Sequence, residues 1–280
     1  MNVPTASVNG INLHYRISGS GSPLVLIAGW GTDLRTWAFQ LPAFRKHFQV
    51  LRFDNRGVGR SDKPIGPYTM RLMASDVIGL MDFLHIQAAH VLGLSMGGMI
   101  AQEVAINYPA RVLKLVLGCT FAFQGDGSGP TEDYTRNAGQ DPKQVRMTLA
   151  SLASNGLLIR SLVGLLVRLR SGHRIEGFKA QGAAIRQHDT KDRLHLIRCP
   201  TLVIAGTRDR VVQPSSSELI ASKVPQAKLV LIENGSHSIG SENRRMFNRT
   251  VLSFLDGFEK KTFEKGETTY KSSGGKGKRD

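Results

Sequence analysis

The chain has 280 residues, 41% of them apolar, with 37 Lys and Arg against 22 Asp and Glu for a net charge of +15. An apolar share near the globular average excludes a disordered chain, and two cysteines exclude a disulfide scaffold. The basic excess is spread over residues 1–120, 121–195, 196–258 and 259–280, each netting between +3 and +5; a nucleic-acid binder concentrates charge on one face or arm, so no nucleic-acid partner is expected.

The first third alternates between strands and helices. Thr5–Val8 and Ile11–Ile17 flank Asn9-Gly10, a hairpin signal. Leu24–Ala28 is an unbroken apolar run, as in a strand buried on both faces. Trp37–Phe44 reads as a short helix and Gln49–Phe53 as a strand leading into a Gly-rich loop, Asp54–Asp62. Thr69 can cap a helix bearing Met73, Val77, Leu80 and Leu84 on one face. A strand over Ala89–Leu94, a helix from Met96 to Tyr108 and a strand over Val112–Leu117 follow.

Residues 121–195 show helical patterns and no convincing strand, which predicts an inserted helical cap. Strand and helix alternate again through Thr201–Ala205, a capping-box spacing at Ser215–Glu218, Lys228–Ile232, and a last helix that Ser241 can cap, with Phe247, Val251, Phe254 and Phe258 on one stripe. Residues 259–280 turn to Lys, Gly, Ser and Thr, and are expected to form a disordered basic tail. The expected organisation is a mostly parallel α/β core (1–120 and 196–258) with helices on both faces and a cap between. MNVPTASVNG carries no basic start or apolar signal core, and Arg160 and Arg168 interrupt the apolar stretch Leu157–Leu169. A cytoplasmic protein with no membrane insertion is expected. Its thiols should be reduced, because Cys119 and Cys199 fall at opposite ends of neighbouring strands.

Ligands in such sheets bind beyond the carboxyl ends of strands. There, Gly93-Leu94-Ser95-Met96-Gly97 stands at a strand-to-helix turn. Glycines on both sides relieve the crowding that lifting a serine above the sheet creates. A serine nucleophile needs a base, and the base an orienting acid. Of eight histidines, His237 follows the carboxyl end of a late strand. Asp209 follows another, with Asp126 as the alternative acid. Ser95, Asp209 and His237 also keep the chain order nucleophile, acid, histidine. The Met96 N–H and the Trp30 N–H, within Gly29-Trp30-Gly31, are the candidate oxyanion donors.

LVLIAGWG (24–31), RFDNRGVGRSD (52–62), LGLSMGGMIAQEVA (92–105), PTLVIAGTRDRVVQP (200–214) and ENGSHS (233–238) together resemble the α/β-hydrolase superfamily through Phe258. The resemblance implies an eight-stranded sheet, a Ser95–His237–Asp209 triad, an oxyanion hole of Trp30 and Met96 amides, and a helical cap. Serine as nucleophile argues against dehalogenases and epoxide hydrolases. Ala28 and Leu94 argue against the carbon–carbon bond hydrolases, whose loop and pre-serine residues differ. The expected activity is hydrolysis of a small carboxylic ester or lactone through an acyl-enzyme, with no cofactor or metal. A thioesterase, a carbon–carbon bond hydrolase and a non-catalytic ligand receptor are the alternatives. Gly29, Phe121, Phe123, Leu158, Leu162 and Leu165 are the expected substrate contacts, although the leucines also fit a cap's own core. Arginines of the cap, if they face the cleft, would favour an anionic substrate. Oligomeric state is not encoded in any feature of the sequence.

Overall fold

The computed structural model describes residues 4–124, 175–256 and 267–271. Strands β1 (Thr5–Val8) and β2 (Ile11–Ser18) form the antiparallel hairpin, with Asn9 and Gly10 at φ +50° and +76°, as a two-residue hairpin loop requires. Strands β3 (Ser22–Ile27), β4 (Phe48–Phe53), β5 (Ala89–Leu94), β6 (Val112–Gly118), β7 (Thr201–Gly206) and β8 (Ala227–Ile232) run parallel.

The sheet is covered on both faces, and the two-residue period of β3 shows how. Leu24 and Leu26 pack with Trp37, Phe44 and Phe247. Val25 and Ile27 pack on the other side with Met73, Val77 and Ile100. The covering helices are α1 (Leu41–Phe44), α2 (Met70–Phe83), α3 (Met96–Asn107), α5 (Pro214–Lys223), α6 (Ile239–Glu242) and α7 (Arg244–Asp256), while α4 (Ile175–Arg186) packs on the loops beyond the strands. Thr69 caps α2 as expected, its Oγ1 accepting from the Leu72 N–H at 3.0 Å.

With an edge strand β9 (Glu267–Lys271), the strand order is β1-β2-β4-β3-β5-β6-β7-β8-β9. The chain leaves β3 to one side for β4 and crosses to the other side for β5. The loops after β3 and β5 therefore part over neighbouring strands and leave a crevice, the position where open α/β sheets bind ligands.

Some local expectations shift. A 3₁₀ turn (Leu34–Phe39) precedes α1 where one helix over Trp37–Phe44 was expected; Asp33 accepts from the Arg35 N–H and so starts the turn early. Ser215 does not cap α5: Pro214 occupies its first turn after Gln213, and proline's fixed φ sets the start instead. Ser241 sits inside α6, and α7 begins at Arg244. The buried stripe of α7 is Phe247, Val251 and Leu255, with Phe254 partly buried. Phe258 lies outside the described residues. Within the segment expected to be a disordered tail, β9 (Glu267–Lys271) pairs antiparallel with β8. Its partner is a Leu-Val-Leu-Ile strand that would otherwise present an open edge. Of the expected cap, α4 and a 3₁₀ turn (Lys191–Leu196) are described. Asp126, Leu158, Leu162 and Leu165 lie outside the described residues. No helix among the described residues is long and apolar enough to cross a membrane.

Candidate active site

Ser95 closes β5 and opens α3 with φ +54° and ψ −121°, a conformation side chains rarely adopt. Its neighbours fix it there. The Ser95 N–H donates to the Gly118 carbonyl at 2.8 Å, and its own carbonyl accepts from the Gly98 N–H and the Thr120 hydroxyl, each at 2.8 Å. A Cβ on Gly93 would lie 2.1 Å from the Gly97 carbonyl oxygen, and one on Gly97 2.0 Å from that of Ile27. Both obstacles are backbone, so glycine is obligatory on each side of the serine.

Asp209 and His237 leave β7 and β8, two and three strands from β5 along the same edge. The turns that carry them touch: a Cβ on Gly206 would lie 2.3 Å from the Gly235 carbonyl, and the Arg208 N–H donates to that carbonyl at 2.8 Å. The Asp209 side chain is fully buried. Its Oδ1 accepts from the Val211 and Val212 N–H groups at 2.8 and 2.9 Å, and its Oδ2 faces His237 Nδ1 at 2.8 Å. A carboxylate can only accept, so Nδ1 carries the proton and Nε2 is left as the basic nitrogen.

Cys119 follows β6, between these elements. Its Sγ, an Asp209 carboxylate oxygen and a His237 ring nitrogen all lie within 4.8 Å of one another. Burial first, then the Asp209 charge, pushes the thiol well above its ordinary range, so it is held as S–H beside the carboxylate. Both cysteines are free.

The turn after β3 faces the serine. A Cβ on Gly29 would lie 3.5 Å from Ser95 Cβ and 4.0 Å from its Oγ. The Thr32 N–H closes the turn on the Gly29 carbonyl at 3.3 Å, with Gly31 at φ +64°. Trp30 is buried, stacks on Phe178 with centroids 4.3 Å apart, and donates its indole N–H to the Phe178 carbonyl at 2.9 Å. Met96 is buried at the first position of α3, where the helix leaves its N–H without an internal partner. Phe121 is a fully buried core residue whose ring meets the His188 edge, and Phe123 lies under the Lys191 ammonium.

The loop 54–62 supports this turn. Asp54 accepts from the Leu34 and Arg60 N–H groups, each at 2.8 Å, and Asn55 donates to the Ala28 carbonyl at 3.0 Å. Thr120 and Phe178 carry no marked signal of a site role in the sequence, and Cys119 reads there only as a reduced thiol at a strand end. For Gln181 a signal existed, a polar residue inside the buried stripe Phe178, Gln181, Ile185.

The family model described as alpha/beta hydrolase fold matches residues 22–243. The chain is 31% identical over 271 residues to a candidate carbamate hydrolase, RutD, from Azorhizobium caulinodans, covering 90% of this chain and 98% of the relative. The structure of an enol-lactonase from Burkholderia xenovorans LB400 is similar at 33% identity and TM-score 0.81, covering 90% of this chain and 100% of the other. A meta-cleavage product hydrolase from Pseudomonas fluorescens IP01 is similar at 28% identity and TM-score 0.80, covering 91% and 97%. Relatives that carry hydrolase names support a hydrolase, and with the family model spanning most of its length the chain belongs to the alpha/beta hydrolase fold family.

Proposed function

We propose that the protein is a serine hydrolase that cleaves a small carboxylic ester or lactone through an acyl-enzyme. The observation that carries this reading is the hydrogen-bonded pair of buried Asp209 and His237 on the same sheet edge as a serine held at φ +54°. In the proposed cycle, His237 Nε2 takes the Ser95 hydroxyl proton as Oγ attacks the carbonyl carbon. Asp209 holds the imidazole in that tautomer and stabilises the imidazolium. The oxyanion is received by the Met96 and Trp30 N–H groups, the first favoured by the α3 dipole. His237 then returns the proton to the leaving alkoxide. Water, deprotonated by the same nitrogen, attacks the acyl-enzyme; the acyl–Oγ bond breaks, the acid is freed, and His237 returns the proton to Ser95 Oγ.

The enol-lactonase likeness supports the lactone branch. The RutD likeness favours a second reading, a carbamate carbonyl attacked in the same way with an amine or ammonia leaving. Turnover of p-nitrophenyl esters, lactones, thioesters and carbamates by the wild type and Ser95→Ala tests both. Ester or lactone turnover that the variant loses supports the first reading, and preference for a carbamate supports the second. Turnover unchanged in Ser95→Ala removes both.

A further inference from the structure

Helix α4 ends the segment that separates β6 from β7, yet it is fastened to the turn that faces Ser95. One contact ties it to the loop 54–62 that supports the turn, and two reach the turn itself. Gly177 meets Gly57 backbone to backbone, since a Cβ on Gly177 would lie 2.4 Å from the Gly57 carbonyl oxygen. Phe178 stacks on Trp30, and a Cβ on Gly31 would lie 2.5 Å from the Phe178 ring. Gln181, fully buried, uses both ends of its amide: Oε1 accepts from the Gly31 N–H at 3.0 Å, and Nε2 donates to the Arg56 carbonyl at 2.8 Å.

Burying an amide in an apolar stripe is costly unless its polar ends are bonded, and both are. The acceptors and donors it meets are themselves fixed. Arg56 is buried and paired with Asp76 of α2, with Nη2 to Oδ1 at 2.6 Å. Gly31 is confined to φ +64°. The Gly31 N–H belongs to the peptide that follows Trp30, so the Gln181 bond fixes the rotation of that peptide. With the Thr32 N–H bond at the other end of the turn, it sets how the turn presents its backbone beside Ser95.

We propose that Gln181 is a positioning residue: its buried amide ties the Gly29–Thr32 turn to Arg56 and holds the Trp30 N–H, one of the two oxyanion donors, in register with Ser95. This rests on reading Ser95 as the nucleophile. The cap's exit helix would thereby govern rate, in addition to any role the cap has in substrate choice. A displacement of about 1 Å at such a site costs roughly 100-fold in rate.

The test uses the full chain and the variants Gln181→Leu, which loses both bonds, and Gln181→Glu, which keeps the acceptor for Gly31. Hydrolysis of a p-nitrophenyl ester gives kcat and KM. An alkyl trifluoromethyl ketone, whose serine adduct carries an oxyanion, reports the donors directly. Thermal unfolding reports structure. We expect Gln181→Leu to fold, to lose roughly 10- to 100-fold in kcat with KM changed less than about threefold, and to lose ketone affinity by the same factor as kcat/KM. Gln181→Glu should fall between it and the wild type. Folded variants with wild-type kcat, loss confined to KM, or unchanged ketone affinity overturn the proposal, and so does failure of both variants to fold, which would give Gln181 a purely structural role. Fluorophosphonate labelling of the wild type at Ser95 separates the two levels. An unlabelled wild type defeats the nucleophile reading itself, whereas a labelled wild type with unaffected variants defeats only the role of Gln181.

Discussion

Ser95 occupies a strained backbone well, and each atom around it has a function in keeping it there. Gly93 and Gly97 leave room for it, Thr120 and Gly98 hold its carbonyl, and Gly118 holds its N–H. The serine and its glycines were legible in the sequence because only glycine permits that approach. The Asp209–His237 pair was legible from strand ends and chain order. Cys119 was not, because its place beside Asp209 depends on the order of β6 and β7 in the sheet. Asp209→Asn keeps the size of the side chain but reverses the tautomer it favours on His237. The expected outcome is a fall in kcat of about 10⁴-fold with little change in thermal midpoint, measured by steady-state ester hydrolysis and by melting.

At the scale of elements, the joint between α3 and the exit of α4 carries a pH dependence. Arg193 pairs with Glu103 of α3 at 2.6 Å, Thr190 bonds Gln102 at 2.6 Å, and His188 is buried between them and Phe121. Burial lowers the His188 pKa to about 4. The unfolded chain therefore takes the proton first. Stability is full above the ordinary histidine value of about 6.5 and falls as pH drops from there toward about 4, by about 3 kcal/mol in all. Urea unfolding at pH 7.5 and pH 5 should differ by about 2 kcal/mol of that loss, and His188→Leu should remove this difference. An equal acid sensitivity in the variant would place the effect elsewhere. Strands were the most legible elements, since their unbroken apolar runs have few other uses. Helix starts were less so, because proline at position 214 outcompeted the serine the spacing suggested and the Asp33 carboxylate started a turn three residues ahead of the expected helix.

For the whole molecule, the net charge of +15 is a property of the field and not of the fold. Residues 121–195 net +4, and Arg160 and Arg168 fall within that segment, outside the described residues. If this charge draws substrate, turnover of a carboxylate-bearing ester should fall as salt rises from 20 to about 200 mM while a neutral ester changes little. Equal salt dependence for both would remove the anionic-substrate idea. The crevice between the loops after β3 and β5 follows from the strand order, and the alternation of strands and helices made that order's class readable in advance. The tie between Gln181 and Gly31 was less readable, since it is a tertiary contact between residues 150 positions apart in the chain. The central claim is that Ser95 is an activated nucleophile. Incubation of the native chain with a fluorophosphonate, followed by peptide mass spectrometry, tests it most directly. One adduct is expected, on Ser95, absent from Ser95→Ala and formed far more slowly in His237→Ala. No adduct on the folded wild type, or an adduct that persists in Ser95→Ala, would contradict it.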